Sequence, residues 1–383
     1  MYDVIIVGAG CVGSYLSALL SENGLKILVV EKDKNVADSV NCSGIIGLES
    51  FNGFDLPSSV IQKIMKDIVV HSPSGSIVEY IPKKPLAYIV DRASFDKHLH
   101  VRAVQKGVSY KMKTLVEEIE VKDSGVVVKL KSNGQIQELQ SKVCVLATGF
   151  GSKIIQKAGF DNISNVVQGA QVEASFPGLK QTQIFLGRKV APNFFAWIAP
   201  ADEGRCKIGL IAEKNAAGYL RDFLRNDFVS SNVHSISKIK VSLLPMEAIE
   251  KSFSNRTIVI GEAAGQIKPT TFGGIYYGFL CADIAARTIL NSFELNKFDE
   301  SVFSQYELEW KQKISEDQKV ALNFHKIFSK MNDKHIDVIV NLARNNGVAG
   351  FVEKFFDFDS HSSLISAFLN SPYKKWFKKE KVY

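Results

Sequence analysis

Cysteine is sparse in this sequence: Cys11, Cys42, Cys144, Cys206 and Cys281 are odd in number and scattered, with no Cys-x-x-Cys and no Cys/His cluster at metal-ligand spacing. A disulfide scaffold and a zinc centre are thereby excluded as organising elements. Long apolar runs are also missing. The longest candidate, Val4 to Leu20, is broken by Gly8, Gly10, Gly13 and Ser14, so no spanning helix is expected. Met1-Tyr2-Asp3 runs straight into an apolar strand and leaves no room for a basic and apolar leader, which points to a cytoplasmic protein. There is no internal repeat, and the only biased run is the Lys-rich tail. Excess charge of one sign is absent from most of the chain. The formal charge is +7, from 47 Lys and Arg against 40 Asp and Glu, and the segment Tyr373 to Tyr383 alone holds five Lys against one Glu. A nucleic-acid partner is therefore not expected.

What is present is enough apolar material, 46% of 383 residues, for two packed domains. The opening reads as a β-α-β unit: a buried strand from Asp3 to Val7, a helix from Val12 to Glu22, and a strand from Ile27 to Val30 that ends on Glu31. Short β-rich pieces, Ile68 to Val70, Ile77 to Ile81 and Ala87 to Val90, are then separated by Ser-Pro-Ser-Gly and Pro-Lys-Lys-Pro turns, suggesting an excursion into a second sheet. Asp91 is the predicted N-cap of a helix through Gln105, with Phe95, Leu99 and Ala103 on one face. Strands return from Leu115 to Leu146 and dominate 166–250; beyond Ile260 the pattern is helical. The fold class is α/β with α+β character. A discontinuous Rossmann-like domain is expected over 1–67, 91–165 and 251–295, an antiparallel substrate sheet over 68–90 and 166–250, and a helical region with a basic tail over 296–383.

Gly8-Ala9-Gly10-Cys11-Val12-Gly13 lies between a strand and a helix, where glycines permit a tight turn and let backbone N–H groups approach a pyrophosphate. Glu31, at the end of the next strand, suits a ribose with free hydroxyls and repels a 2′-phosphate. FAD and NAD both use this element. The choice falls to Thr257 through Gly265 and Pro269 through Gly274, a strand ending in Gly261-Glu262, then a turn with Gly273-Gly274 before a helix starting at Ile275. An acid there can hold ribityl hydroxyls, and paired glycines at a helix start let amides approach the electron-rich edge of a flavin.

This second segment resembles the flavin motif of the p-hydroxybenzoate hydroxylase-like flavoproteins, with Glu262 where that family has Asp. Asp91-Arg92-Ala-Ser-Phe-Asp96 is similar to the same family's Arg-containing helix start, and Ala147-Thr148-Gly149 to the turn that closes the adenosine side. The resemblance implies cofactor contacts from these residues, from Lys32 beside Glu31, and from Val116 beside the adenine. Asn41-Cys42-Ser43-Gly44 and Phe195-Ala-Trp197-Ile-Ala-Pro200 further resemble the two signatures of the geranylgeranyl reductase family, with Phe195 in place of Tyr and Ala199 in place of Phe. That family reduces isolated double bonds of prenyl lipids with reduced FAD. The resemblance implies contact of Cys42, Ser43 and Gly44 with the flavin, catalytic roles for Cys42 and Trp197, and a substrate wall of Phe194, Phe195, Trp197 and Pro200.

Two acceptor classes stay open on the residues alone, a prenyl chain and a small aromatic ring hydroxylated through oxygen, with a non-enzymatic electron carrier or lipid binder as a third class. The apolar strand Phe194 to Ala199 favours the prenyl chain. With no second Gly-rich nucleotide site, the external reductant is NAD(P)H acting transiently or a protein such as ferredoxin. Two further expectations concern single features: a redox-poised pairing of Cys42 with Cys281 beside the flavin, and peripheral attachment of the tail Tyr373 to Tyr383, where rings alternate with ammonium groups, to an anionic membrane.

Overall fold

A computed structural model describes residues 1–344 and 346–370. The basic tail expected at a membrane lies outside the described residues. Among them, no helix is long and apolar enough to cross a bilayer.

The first strand, Tyr2–Val7, is central to an eight-stranded sheet. It runs parallel to Ile27–Val30 on one side and to Gln135–Leu146 on the other, with Val4 opposite both Ile27 and Val143. Ser109–Lys111 and Thr257–Val259 extend the parallel set outward. Burial alternates in destination along the first strand rather than in degree. Val4 and Ile6 enter one core cluster while Ile5 and Val7 enter another, both fully or almost fully enclosed. A parallel strand with both faces covered needs an unbroken apolar run, which is what Val4-Ile5-Ile6-Val7 provides. The helices Cys11–Glu22, Arg92–Gln105 and Ile275–Glu294 cover the first face, and Asp91 caps the second of these by accepting from Ala93 N–H, as the sequence predicted.

A seven-stranded sheet follows the order Lys240–Pro245, Val166–Ser175, Arg205–Ala212, Phe195–Pro200, Thr182–Leu186, Ile68–His71, Ile77–Tyr80. One of the three β pieces expected in this sheet is elsewhere. Ala87–Val90 pairs with Ile45–Gly47 and Ile61–Met65 in a separate three-stranded sheet, where Val90 is buried in the same core cluster as Val4 and Ile6. The strand-rich reading of 166–250 also missed the helices Ala216–Leu224 and Asp227–Asn232. Ala216, Leu220 and Phe223 are their buried positions in the first of these, a helical spacing masked by strands on both sides.

The longest helix, Glu300–Phe328, fastens the loop that follows the strand Thr257–Val259. Tyr306 O–H donates to Val259 O at 2.9 Å and accepts from Gln266 Nε2 at 2.8 Å, while Gln266 Oε1 accepts from Gly261 N–H at 2.7 Å. Gln318 Nε2 donates to Gly265 O and Ile267 O. All of these groups are buried, so each bond that is removed leaves a polar atom unsatisfied. Tyr306→Phe is expected to lower unfolding stability by about 1–3 kcal/mol, read as a fall in the urea midpoint; an unchanged midpoint would show that this network does not hold the loop.

Candidate functional site

The carboxyl ends of the parallel strands carry the site, where an open α/β sheet places its ligands. Gly8 adopts φ +111°, and a Cβ on it would overlap the carbonyl oxygen of Ala147; a Cβ on Gly13 would overlap Gly8 O. The two turns are thus in backbone contact. Gly10 differs, since a Cβ there would meet nothing within 4 Å. As N-cap of Cys11–Glu22 it offers no side chain to the first turn, whose amides are left for an anion. The structure therefore has a cradle with close-packed glycines behind it and free space in front, which fits a dinucleotide pyrophosphate.

Glu31 closes one side. Its Oε2 accepts from Ala9 N–H at 2.8 Å and its Oε1 from Asp33 N–H at 2.9 Å, which fixes the carboxylate beside the turn with lone pairs to spare. Lys32, next in the chain, pairs with Asp33 at 2.7 Å. Val116 is buried in the same cluster as Val7 and Val30. Ala147 N–H donates to Val7 O at 2.9 Å, and Gly149 takes φ +68° beyond Thr148.

Arg92 comes to the start of the first helix from 81 residues away and donates to Cys11 Sγ at 3.6 Å. It is buried and paired with Asp96 at 2.8 Å. Glu262 lies near both. Burial pushes its carboxyl above the ordinary range, against the pull of Arg92 and with a further push from Asp96. A Cβ on Gly274 would come within 3.3 Å of Glu262 Cγ and Oε1, so the second acid and the Gly273-Gly274 turn touch, and Ile275 begins the helix behind them. The two glycine motifs are locked face to face: a Cβ on Gly261 would be in van der Waals contact with Val12, and one on Gly278 would collide with Val12 Cγ2. Gly278 was not singled out in the sequence, where a glycine inside a helix carries no mark of its partner.

The loop Asn41-Cys42-Ser43-Gly44 is bound on two sides. Gly44, at φ +77°, fits against Val90 O and Arg92 Cγ, and its carbonyl accepts from Val90 N–H. From the seven-stranded sheet, Lys207 Nζ donates to Cys42 O and Ser43 O, each at 3.2 Å, and Ser242 Oγ accepts from Asn41 Nδ2 at 2.9 Å. Lys207 is 8% exposed and was not anticipated, since an alternating strand gives no sign that one of its lysines will point inward.

The expected pairing of Cys42 with Cys281 is corrected. Both are free thiols, and Cys281 is completely enclosed within the helix core, in electrostatic range of Tyr306. The thiol that shares Arg92 with Cys42 is Cys11, which burial pushes up to about 12. The expected substrate residues also divide. Phe195 and Trp197 lie two apart on one strand with ring centroids 5.9 Å apart. Phe194 is instead a core ring, packed against Phe272 at 5.8 Å and His325 at 4.6 Å, and Pro200 ends the strand opposite Cys206. Trp197 and Ala199 join Met65, Ile89, Phe356 and Phe358 in an apolar cluster where the three-stranded sheet, the seven-stranded sheet and the C-terminal segment meet. Among the described residues no group of three His, Cys, Asp or Glu side chains could hold a metal ion.

Residues 1–270 match the model of the FAD-binding domain family. The chain is 31% identical over 352 residues to the digeranylgeranylglycerophospholipid reductase of Methanocaldococcus jannaschii, covering 88% of this chain and 90% of that one. It is also 31% identical to the protein of the same name from Methanococcus vannielii, covering 90% and 91%. Its fold is that of a geranylgeranyl bacteriochlorophyll reductase-like protein of Thermoplasma acidophilum, with a TM-score of 0.87 at 21% identity over 100% of this chain and 99% of the other. A p-nitrophenol 4-monooxygenase of Pseudomonas putida shares the fold more loosely, at a TM-score of 0.73 and 16% identity over 94% and 98%.

The open space before Gly10 separates folding from cofactor binding. Gly10→Val is expected to keep the far-UV spectrum of the parent, since nothing lies within 4 Å of its Cβ, yet to lose most of its bound FAD by the ratio of flavin to protein absorbance. Normal flavin content in this variant would contradict the placement of the pyrophosphate.

Proposed function

We propose that this chain, which belongs to the FAD-binding domain family and to the family of the digeranylgeranylglycerophospholipid reductases, saturates double bonds of geranylgeranyl chains during the building of membrane lipids. By that membership it is an FAD-dependent oxidoreductase; the acceptor and the pathway are the parts proposed. Reduced FAD supplies the hydride when bound, replenished by NAD(P)H or a protein donor such as ferredoxin.

The observation that carries the acceptor assignment is the apolar cluster of Trp197 and Ala199 with Met65, Ile89 and Phe356, with the Phe195 ring beside that of Trp197. An isolated alkene offers no charge to grip, so holding its carbons about 3 to 3.5 Å from the hydride donor must supply much of the rate. Such positioning needs rigid side chains. The Trp197 indole packs against Gly209, where a Cβ would collide with Cζ2, so the ring's place depends on a missing side chain in the next strand. Lys207, on the same strand as Gly209, holds the Cys42 loop by its carbonyls, so wall and loop are referred to one frame. Trp197 Nε1 is buried without a hydrogen-bond partner among the described residues, a donor that a bound acceptor atom would satisfy.

The test is anaerobic. Dithionite-reduced protein mixed with a geranylgeranyl lipid is expected to reoxidise its flavin and to yield a product heavier by two hydrogens per bond. A protein that stays reduced until oxygen is admitted, with a product that gains an oxygen atom, would instead be an aromatic-type hydroxylase. Trp197→Ala is expected to retain FAD while turnover falls about 10- to 200-fold, the span that lost apolar fit commands; equal loss of flavin would mean that the indole supports the cofactor rather than the acceptor.

A further inference from the structure

A buried charge pair that the acceptor assignment leaves without a task lies against the Gly273-Gly274 turn. Lys268 N–H donates to Gly273 O at 3.2 Å and Phe272 N–H donates to Lys268 O at 2.8 Å, so the loop closes on itself. The Lys268 side chain folds back across it: a Cβ on Gly273 would sit 3.1 Å from Lys268 Cε and 3.6 Å from Nζ. The ammonium, in a residue 6% exposed, donates to Phe358 O at 2.8 Å and pairs with Asp359 Oδ1 at 3.3 Å. Asp359 is just as enclosed. Its Oδ2 accepts from Ser50 Oγ, and its carboxylate occupies space that a side chain on Gly47 would fill. Beside it, Thr270 Oγ1 and His361 Nδ1 are hydrogen-bonded at 2.6 Å. Three distant segments thus meet at one ion pair.

Stability is a weak reason for such a pair, because the desolvation of both charges cancels most of their attraction. Its position suggests another. The helix Ile275–Glu294 starts immediately after Gly274 and presents its positive end to the turn, so helix and ammonium act in the same sense on whatever lies there. A flavin that takes up two electrons and one proton gains a net negative charge on its ring, and fixed charges near the ring shift that equilibrium.

We propose that Lys268 and Asp359 set the reduction potential of the bound FAD. Lys268 favours the reduced, negatively charged ring, and Asp359, delivered by the C-terminal segment, offsets that effect and keeps the flavin a stronger hydride donor. This rests on the FAD site and not on the isoprenoid acceptor, so the experiment omits any acceptor, and a wrong acceptor would not touch it. The FAD-bound full chain is titrated anaerobically with dithionite, which supplies both electrons, against a reference dye. Asp359→Asn, which keeps size and leaves Phe358 O to hold the ammonium, is expected to have a more positive potential than the parent. Lys268→Met combined with Asp359→Asn, which buries no unpaired charge, is expected to fall below Asp359→Asn. Lys268→Arg is expected to stay close to the parent. An Asp359→Asn potential that is unchanged or more negative, or a double variant equal to Asp359→Asn, would overturn the proposal.

Discussion

No carbon can stand between Gly8 and the carbonyl of Ala147, or between Gly13 and the carbonyl of Gly8. This double close approach holds the turn after the first strand against the end of Gln135–Leu146, and the rest of the site is arranged around it. Arg92 reaches the helix start it creates, Glu31 accepts from its Ala9 amide, and Val12 on its helix packs where Gly261 and Gly278 leave room. A methyl group at Gly8 would push the first strand's end from the end of Gln135–Leu146, and one at Gly13 would push the helix Cys11–Glu22 from the turn. Gly10, in the same motif, bears no such packing demand, so within six residues the glycines divide into those that the fold needs and one that it leaves free.

Around this fixed point the protein uses side chains of high reach to bring remote segments in. Lys207 draws the Cys42 loop to the seven-stranded sheet, Tyr306 and Gln318 hold the loop after Gly261, and Lys268 brings the segment around Asp359 to the Gly273-Gly274 turn. Each of these ties carries a buried polar group to a backbone carbonyl, a carboxylate or a hydroxyl, which is the condition for keeping it out of water without loss. The apolar wall of Trp197 and Phe195 then stands between segments that are already tied, and its geometry follows from theirs.

Much of this was legible in the chain because it is local. Val4-Ile5-Ile6-Val7, the glycine spacing, Glu31 after the second strand and the Asp91 cap all express rules that act within a few residues, and the structure repeats them almost residue for residue. What was not legible depends on contacts far apart in sequence. Ala87–Val90 was placed in the wrong sheet because strand propensity does not specify a partner. Cys281 was placed near Cys42 by its distance from Gly274 along a helix, but seven residues is about two turns, and that side of the helix faces the core. Lys207, Lys268 and Asp359 carry ordinary surface residue types, and only tertiary packing reveals that they are inside.

The central claim is that one cleft holds FAD against the two glycine turns and a prenyl chain against the Trp197 wall. Denaturing extraction of the protein as purified from its natural host, with flavin quantified by fluorescence and lipids by mass spectrometry, tests both halves together. The expected result is close to one FAD per chain together with a prenyl lipid in partly saturated forms. FAD accompanied by a small polar aromatic compound, or a protein that carries a prenyl lipid and no flavin, would contradict it.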